Sequence, residues 1–137
     1  MISVDDIAVI AFIISVFCTF IFLILITFLS IKLRKKKYYM MDAIAERAPK
    51  KFRKRAMLMM ESSMSWLVGS SASYPWFGYP MMRFAWSIPR SEIIKWRSEL
   101  KNIFGKNYSL YLLMVTFFNI SMLGIVIGFL FLFIGEL

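Results

Sequence analysis

Two uninterrupted apolar runs constrain this chain more than any other feature. Residues 7–31 read IAVIAFIISVFCTFIFLILITFLSI and residues 110–134 read LYLLMVTFFNISMLGIVIGFLFLFI, and neither run contains a charge. A helix of this length, at ~1.5 Å per residue, reaches ~37 Å and exceeds the ~30 Å hydrocarbon core of a bilayer. Only a helix crosses lipid in one such run, because its backbone polar groups pair internally. The sequence therefore predicts an all-α membrane protein with two transmembrane helices.

The first run is predicted to be a retained anchor and not a cleaved secretory signal. A signal begins with basic residues and has an apolar core of about 7–15 residues, whereas this N-terminus carries Asp5 and Asp6 before a longer run. The chain has one cysteine, Cys18, and no histidine. These two counts exclude an intramolecular disulfide, a Cys/His zinc site and the Ser-His-Asp or Cys-His catalytic arrangements. No enzyme activity, cofactor, metal or small-molecule substrate is expected.

The charges predict how the chain lies in the membrane. All 17 lysines and arginines fall between positions 32 and 106, and the segment 32–109 carries them against five acids, a net charge of +12. Positively charged loops stay on the cytoplasmic side. We therefore expect a 78-residue cytoplasmic loop, with the tails 1–6 and 135–137 outside. A bacterial inner (cytoplasmic) membrane is the predicted location.

The loop contains two basic clusters near its start. They are expected to contact anionic lipid headgroups, which attract lysine and arginine close to the membrane surface. No nucleic acid is expected, because the second cluster is tethered to a membrane and matches no nucleic-acid-binding motif. The first cluster comprises Lys32, Arg34, Lys35, Lys36 and Lys37, and the second comprises Lys50, Lys51, Arg53, Lys54 and Arg55.

Aromatic residues concentrate in the middle of the loop, within residues 69–90. Prolines and glycines interrupt any long helix there. So many rings are not expected to be buried inside so small a loop, so they are predicted to lie in the headgroup layer or on another subunit. These two alternatives stay open. The rings belong to Tyr74, Trp76, Phe77, Tyr79, Phe84 and Trp86.

Residues 91–105, SEIIKWRSELKNIFG, have the clearest amphipathic pattern. Ser91 is a suitable residue to cap the start of a helix, and Gly105 suits its end. The apolar stripe contains Ile93, Trp96, Leu100 and Phe104. We expect this interfacial helix to lie along the cytoplasmic membrane surface or in a groove of a partner protein.

Small residues recur along both apolar runs and predict close helix packing. Glycines four residues apart let two backbones approach, and the set could join the two spans as a hairpin or bind another protein. An asparagine within a span favours a neighbouring helix over bare lipid, because its amide can form an interhelical hydrogen bond. The set is Ala11, Ser15 and Thr19 in the first run, with Asn119, Ser121, Gly124 and Gly128 in the second.

The function predicted from these features is that of a non-enzymatic integral membrane subunit. It would be a scaffold or assembly factor of a larger inner-membrane complex of the secretion, conjugation, transport or respiratory type. A small homo-oligomeric pore or holin-like protein is the first alternative. In its two spans, its basic loop and the helix SEIIKWRSELKNIF, the chain resembles universal stress protein B in layout, without a shared motif. This resemblance implies the second alternative, a lipid-interacting, stress-related membrane hairpin.

Overall fold

Two long antiparallel helices dominate the fold. The computed structural model describes residues 1–63, 65–74 and 78–137, which are mostly helical and contain no strand. The first long helix, α1, spans Val4–Lys32, and the last, α7, spans Tyr108–Glu136. Both are long and apolar enough to cross a membrane. This confirms the prediction of an all-helical chain with two helices of membrane-spanning length.

Helix α1 begins three residues before its apolar run because a capping box fixes its start. The backbone amide of Asp6 donates to Ser3 Oγ at 3.1 Å, and the amide of Ser3 donates to Asp6 Oδ2 at 3.0 Å. Two N-terminal amides that lack helical acceptors are thereby satisfied. The acidic side chains of the first turn also complement the helix dipole.

Between the long helices, the described residues (33–63, 65–74 and 78–107) form five shorter helices. These are α2 (Lys37–Arg47), α3 (Arg53–Ser62), α4 (Trp66–Gly69), α5 (Gly78–Pro80) and α6 (Arg90–Phe104). A π-helical turn covers Met81–Ala85, and 3-10 turns cover Arg34–Lys36, Ser70–Ser73 and Gly105–Asn107. Helix α6 lies where the amphipathic pattern predicts it. Gly105 ends it with a positive φ of 53°, a conformation that glycine adopts without steric cost.

The short helices pack on one another and share a core with the C-terminal half of α1 and the N-terminal end of α7. Helix α2 contacts both α3 and α6. The buried side chains include Ile44 of α2, Phe52 before α3 and Trp96 of α6, and the same cluster continues into Leu29 of α1 and Met114 of α7. We call the segment 37–104 the helical cluster. The loop is therefore a packed unit continuous with the hairpin.

Candidate functional site

The seam between α1 and α7 is held by hydroxyl groups. Ser15 Oγ donates to the carbonyl of Ser121 at 2.7 Å, and Thr19 Oγ1 lies 2.8 Å from the carbonyl of Ser15. The hydroxyls of Thr19 and Ser121 also hydrogen-bond to each other. Ser15 and Ser121 are buried, so this pairing gives both side chains partners away from water.

The small residues allow the two backbones to approach beside these hydroxyls. A Cβ atom on Gly124 would lie 2.9 Å from Ser15 Cβ and 3.0 Å from the carbonyl oxygen of Ala11. A Cβ on Gly128 would lie 2.7 Å from ring atoms of Phe12. The structure thus brings six of the seven predicted packing residues together within one chain. The hairpin arrangement, left open by the sequence, is the one this fold adopts.

Asn119 is the seventh residue of that set and makes none of these seam contacts. It is half-buried on α7, and Ile120 and Leu123 beside it are exposed. Within the described residues its amide makes no hydrogen bond, whereas Ser121, two positions on, is paired across the hairpin. Asn119 therefore presents polar atoms near the middle of a helix whose neighbouring surface is apolar.

The stripe of α6 is buried inside the chain, which corrects the expectation that it faces lipid or a partner. Ile93, Trp96, Leu100 and Phe104 are each at most 3% exposed. Trp96 Nε1 donates to the carbonyl of Ile44 at 3.0 Å, and the Trp96 ring meets that of Phe52 edge-on at 5.8 Å. Helical spacing reveals an apolar face but not what covers it. Here α2 and the residues before α3 cover it.

The aromatic segment is divided between the core and the surface. Tyr74 is buried, Tyr79 and Trp86 are partly buried, and Phe84 is 75% exposed. The expectation that these rings lie on lipid or a partner is therefore corrected for Tyr74, which the chain itself covers. Trp76 and Phe77 lie outside the described residues, so the docking prediction for them is untouched.

Tyr74 contacts two tyrosines at the start of α7. Its hydroxyl lies 2.8 Å from that of Tyr108, and its ring meets that of Tyr111 edge-on at 5.8 Å. Burial, with the hydrogen bond to Tyr108, raises the pKa of Tyr74 far above its ordinary value. The phenol therefore keeps its proton even in alkaline solution, and its hydrogen bond to Tyr108 connects the aromatic segment to α7.

Two arginines cover aromatic rings on the surface of the helical cluster. The guanidinium of Arg55 lies 3.4 Å from the centre of the Trp86 ring. Arg97 lies 5.4 Å from the ring centre of Tyr74 and 5.2 Å from that of Tyr79. Arg97 was not among the residues predicted from the sequence. Its position four residues before Lys101 on the polar face of α6 gave no signal of these contacts, which depend on the tertiary fold.

The predicted lipid-contacting residues differ in how free they are. In the first cluster, Lys32, Arg34, Lys35 and Lys36 are exposed and Lys37 is half-buried. In the second, Arg55 covers Trp86, and Arg53 Nε donates to the carbonyl of Ala48 at 3.1 Å. The lysines of that cluster, at positions 50, 51 and 54, are exposed. Both clusters thus keep charged groups on the surface, while the two arginines of the second also stabilise the fold.

The acidic and cysteine side chains of the described residues are dispersed. Within residues 1–63, 65–74 and 78–137, no three His, Cys, Asp or Glu side chains come together as metal ligands. The single ion pair found there joins Arg47 and Glu99 at 3.4 Å on the surface. The chain matches no protein-family model, no curated protein sequence and no solved structure.

Proposed function

We propose that this chain is a non-enzymatic integral membrane subunit that helps to hold a larger inner-membrane complex together. Helices α1 and α7 would cross the membrane, and the basic helical cluster would lie on the cytoplasmic side. A partner helix would pack against α7 within the membrane. The partner class is another integral membrane protein, as in assemblies for secretion, conjugation, transport or respiration.

The observation that carries this proposal is that the side-chain amide of Asn119 makes no hydrogen bond within the described residues. An amide that faces hydrocarbon without a hydrogen bond is costly, and an interhelical bond in a membrane is worth ~0.6–2 kcal/mol. The polar groups of the seam, on Ser15, Thr19 and Ser121, already satisfy one another inside the hairpin. Asn119 remains for a neighbouring helix.

The outer surface of α1 offers further area for packing. Large apolar side chains stand exposed along its length, among them Phe17 at 66% and Phe20 at 64%. Lipid alone can cover such a surface, so this face supports the proposal only in company with Asn119. Its bulky rings nevertheless provide the van der Waals contact that drives helix association where no hydrophobic effect acts.

The test is to purify the chain with its native neighbours. A C-terminally tagged chain is extracted from its own membranes into native nanodiscs, and the mass of the assembly and every co-purifying protein are determined. A foreign membrane subunit at a fixed stoichiometry is expected. The change Asn119→Leu should reduce its recovery about threefold or more, as the loss of ~0.6 kcal/mol or more implies.

A matched variant controls for the added side chain. Val126 is exposed on the same helix. Val126→Leu also introduces a leucine on α7 but removes no polar group, so recovery of the foreign subunit should be unchanged. Recovery of the bare monomer from native membranes would contradict the proposal. A pure homo-oligomer would also contradict it and would favour the pore alternative, which has less support because the hydroxyls at the seam face each other.

A further inference from the structure

A groove of about 760 Å³ opens beside the cytoplasmic end of α1. One wall is formed by α1 itself and includes Leu23 and Ile31. The first basic cluster contributes Arg34 and Lys37 at one end of the groove. The opposite wall comes from the end of α3 and the start of α4 and includes Glu61 and Trp66. The hairpin and the helical cluster thus enclose the groove together.

The groove changes from apolar to charged along its length. Leu23 and Ile31 belong to the uncharged run 7–31, whereas Arg34 and Lys37 follow directly after it. If the run spans the hydrocarbon core, the groove crosses from hydrocarbon into the headgroup layer. A phospholipid has the same gradient, with an acyl chain next to a charged headgroup. This step rests on the proposed function, which places α1 across the membrane.

The charges at the polar end favour one class of phospholipid. Two cations, Arg34 and Lys37, face a groove that also contains the carboxylate of Glu61. In the described part of the chain, none of these three groups has an ion-pair partner within 4.0 Å. Arginine and lysine are the residues that bind phosphate oxygens. A carboxylate in the same groove would repel a second negative charge and attract an ammonium group.

We propose that this groove binds a phospholipid with an amine-bearing headgroup, of the phosphatidylethanolamine class. The phosphate lies at Arg34 and Lys37, and the ammonium group lies at Glu61. One acyl chain runs along α1 past Ile31 toward Leu23. Such a lipid joins α1 to the end of α3, and so fastens the helical cluster to the membrane.

The proposal is tested on the isolated chain by native mass spectrometry. Detergent-solubilised protein is mixed with phosphatidylethanolamine or phosphatidylglycerol of identical acyl chains, or with soluble glycerophosphoethanolamine. One phosphatidylethanolamine per chain should be retained, with about a two- to fivefold preference over phosphatidylglycerol, as expected for one exposed charge pair. The soluble headgroup should bind more weakly than the lipid, because it lacks the acyl chain. Equal retention of the two lipids would overturn the assignment to an amine.

Three variants separate the roles of the charges. Glu61→Gln should abolish the preference between the two lipids while retaining binding of both. The pair Arg34→Gln and Lys37→Gln should weaken both lipids about tenfold. The pair Lys35→Gln and Lys36→Gln is the control, because it removes the same charge from residues that do not line the groove, and it should leave retention unchanged. Equal losses in the two pairs would show attraction by net charge alone and overturn the site.

The result is independent of any protein partner. The measurement uses the purified chain, so a lipid site is detected or refuted whether or not foreign subunits co-purify. Thermal unfolding of each variant, in lipid-free detergent, verifies that the fold is retained. If the variants of the basic residues unfold, Glu61→Gln alone still decides the proposal. It must change the preference between the two lipids and not the total amount of lipid retained.

Discussion

Gly124 determines how closely α1 and α7 approach. A methyl group there would meet the backbone carbonyl of Ala11 at 3.0 Å as well as Ser15 Cβ at 2.9 Å, and a backbone atom cannot rotate away. We expect Gly124→Ala to push the helices apart and to lower the free energy of unfolding by about 1–3 kcal/mol, the usual cost of overpacking. Thermal unfolding in detergent micelles measures the loss as a lower Tm.

The same substitution at Gly135 is the control for Gly124. A methyl group at Gly135 would meet Asp5 Oδ1 at 3.0 Å, at the flexible end of an exposed side chain that can move, and Val4 Cγ1 at an ordinary contact distance of 3.8 Å. Gly135→Ala should therefore leave the Tm nearly unchanged. Equal Tm values for the two variants would contradict the close approach at Gly124.

Trp96 satisfies a carbonyl at the end of another helix. Ile44 lies in the last four residues of α2, whose carbonyls lack helical donors, and the nearby Ala48 amide donates to Ala45 instead, at 3.3 Å. The indole of Trp96 supplies the missing donor at 3.0 Å. Trp96→Phe keeps an aromatic ring but leaves this buried carbonyl unpaired, which should cost about 1–3 kcal/mol.

Denaturant unfolding followed by circular dichroism measures the effect of Trp96→Phe. Trp86→Phe is the matched control, because Trp86 is only partly buried and phenylalanine retains a face for the guanidinium of Arg55. It should cost less than Trp96→Phe. If both variants lose the same free energy of unfolding, the hydrogen bond from Trp96 to Ile44 makes no measurable contribution to stability.

Substitutions on helix α6 can distinguish an apolar stripe that packs against α2 from one that faces lipid. Leu100 is completely buried, whereas Ile94 lies outside the apolar stripe and is 45% exposed. Leu100→Asp places a charge in the core, and should open the helical cluster. Ile94→Asp should be tolerated. Hydrogen exchange of the α2 amides measures this, and fast exchange is expected for Leu100→Asp alone.

If instead the stripe lay on lipid, Leu100→Asp would release the intact helix from the membrane without exposing α2. Slow α2 exchange in this variant would therefore contradict the packing of α6 against α2. The comparison with Ile94→Asp corrects for the general effect of an added acid on the helix.

The extent to which the sequence predicted these elements follows from the range of the interactions. Local signals were sufficient for the two long helices and for the end of α6, where Gly105 adopts a positive φ. The capping box of Ser3 and Asp6 is also local, but it was not predicted, because the helix was placed on the apolar run alone and so began at residue 7. The burial of Trp96 was not predictable, because it depends on Ile44, 52 positions away. The sequence predicted seven packing residues, of which the fold brings six together at the seam. It could not distinguish packing within a hairpin from packing against a partner, because both use the same small residues.

At the scale of the whole molecule, the hairpin and the helical cluster form one body with an uneven charge distribution. The hydrophobic core runs from Phe22 of α1 through Ile44 to Val115 of α7. The helical cluster therefore cannot move relative to the hairpin without breaking this shared core. All 17 basic residues lie in or beside the helical cluster, and the far ends of both long helices carry only acids. One end of the molecule is therefore suited to a negatively charged membrane surface.

This asymmetry predicts that both termini lie outside and the helical cluster inside. The native thiol is removed by Cys18→Ala, and single cysteines are introduced at Ile2, Leu137 or Lys50, all of which are exposed. In intact cells, a membrane-impermeant maleimide should label positions 2 and 137 but not 50, because only reagent that crosses the membrane reaches the cluster. Lysed cells should show labelling at all three. Labelling of position 50 alone in intact cells would place the +12 loop outside, and the groove beside Arg34 would then face the opposite leaflet.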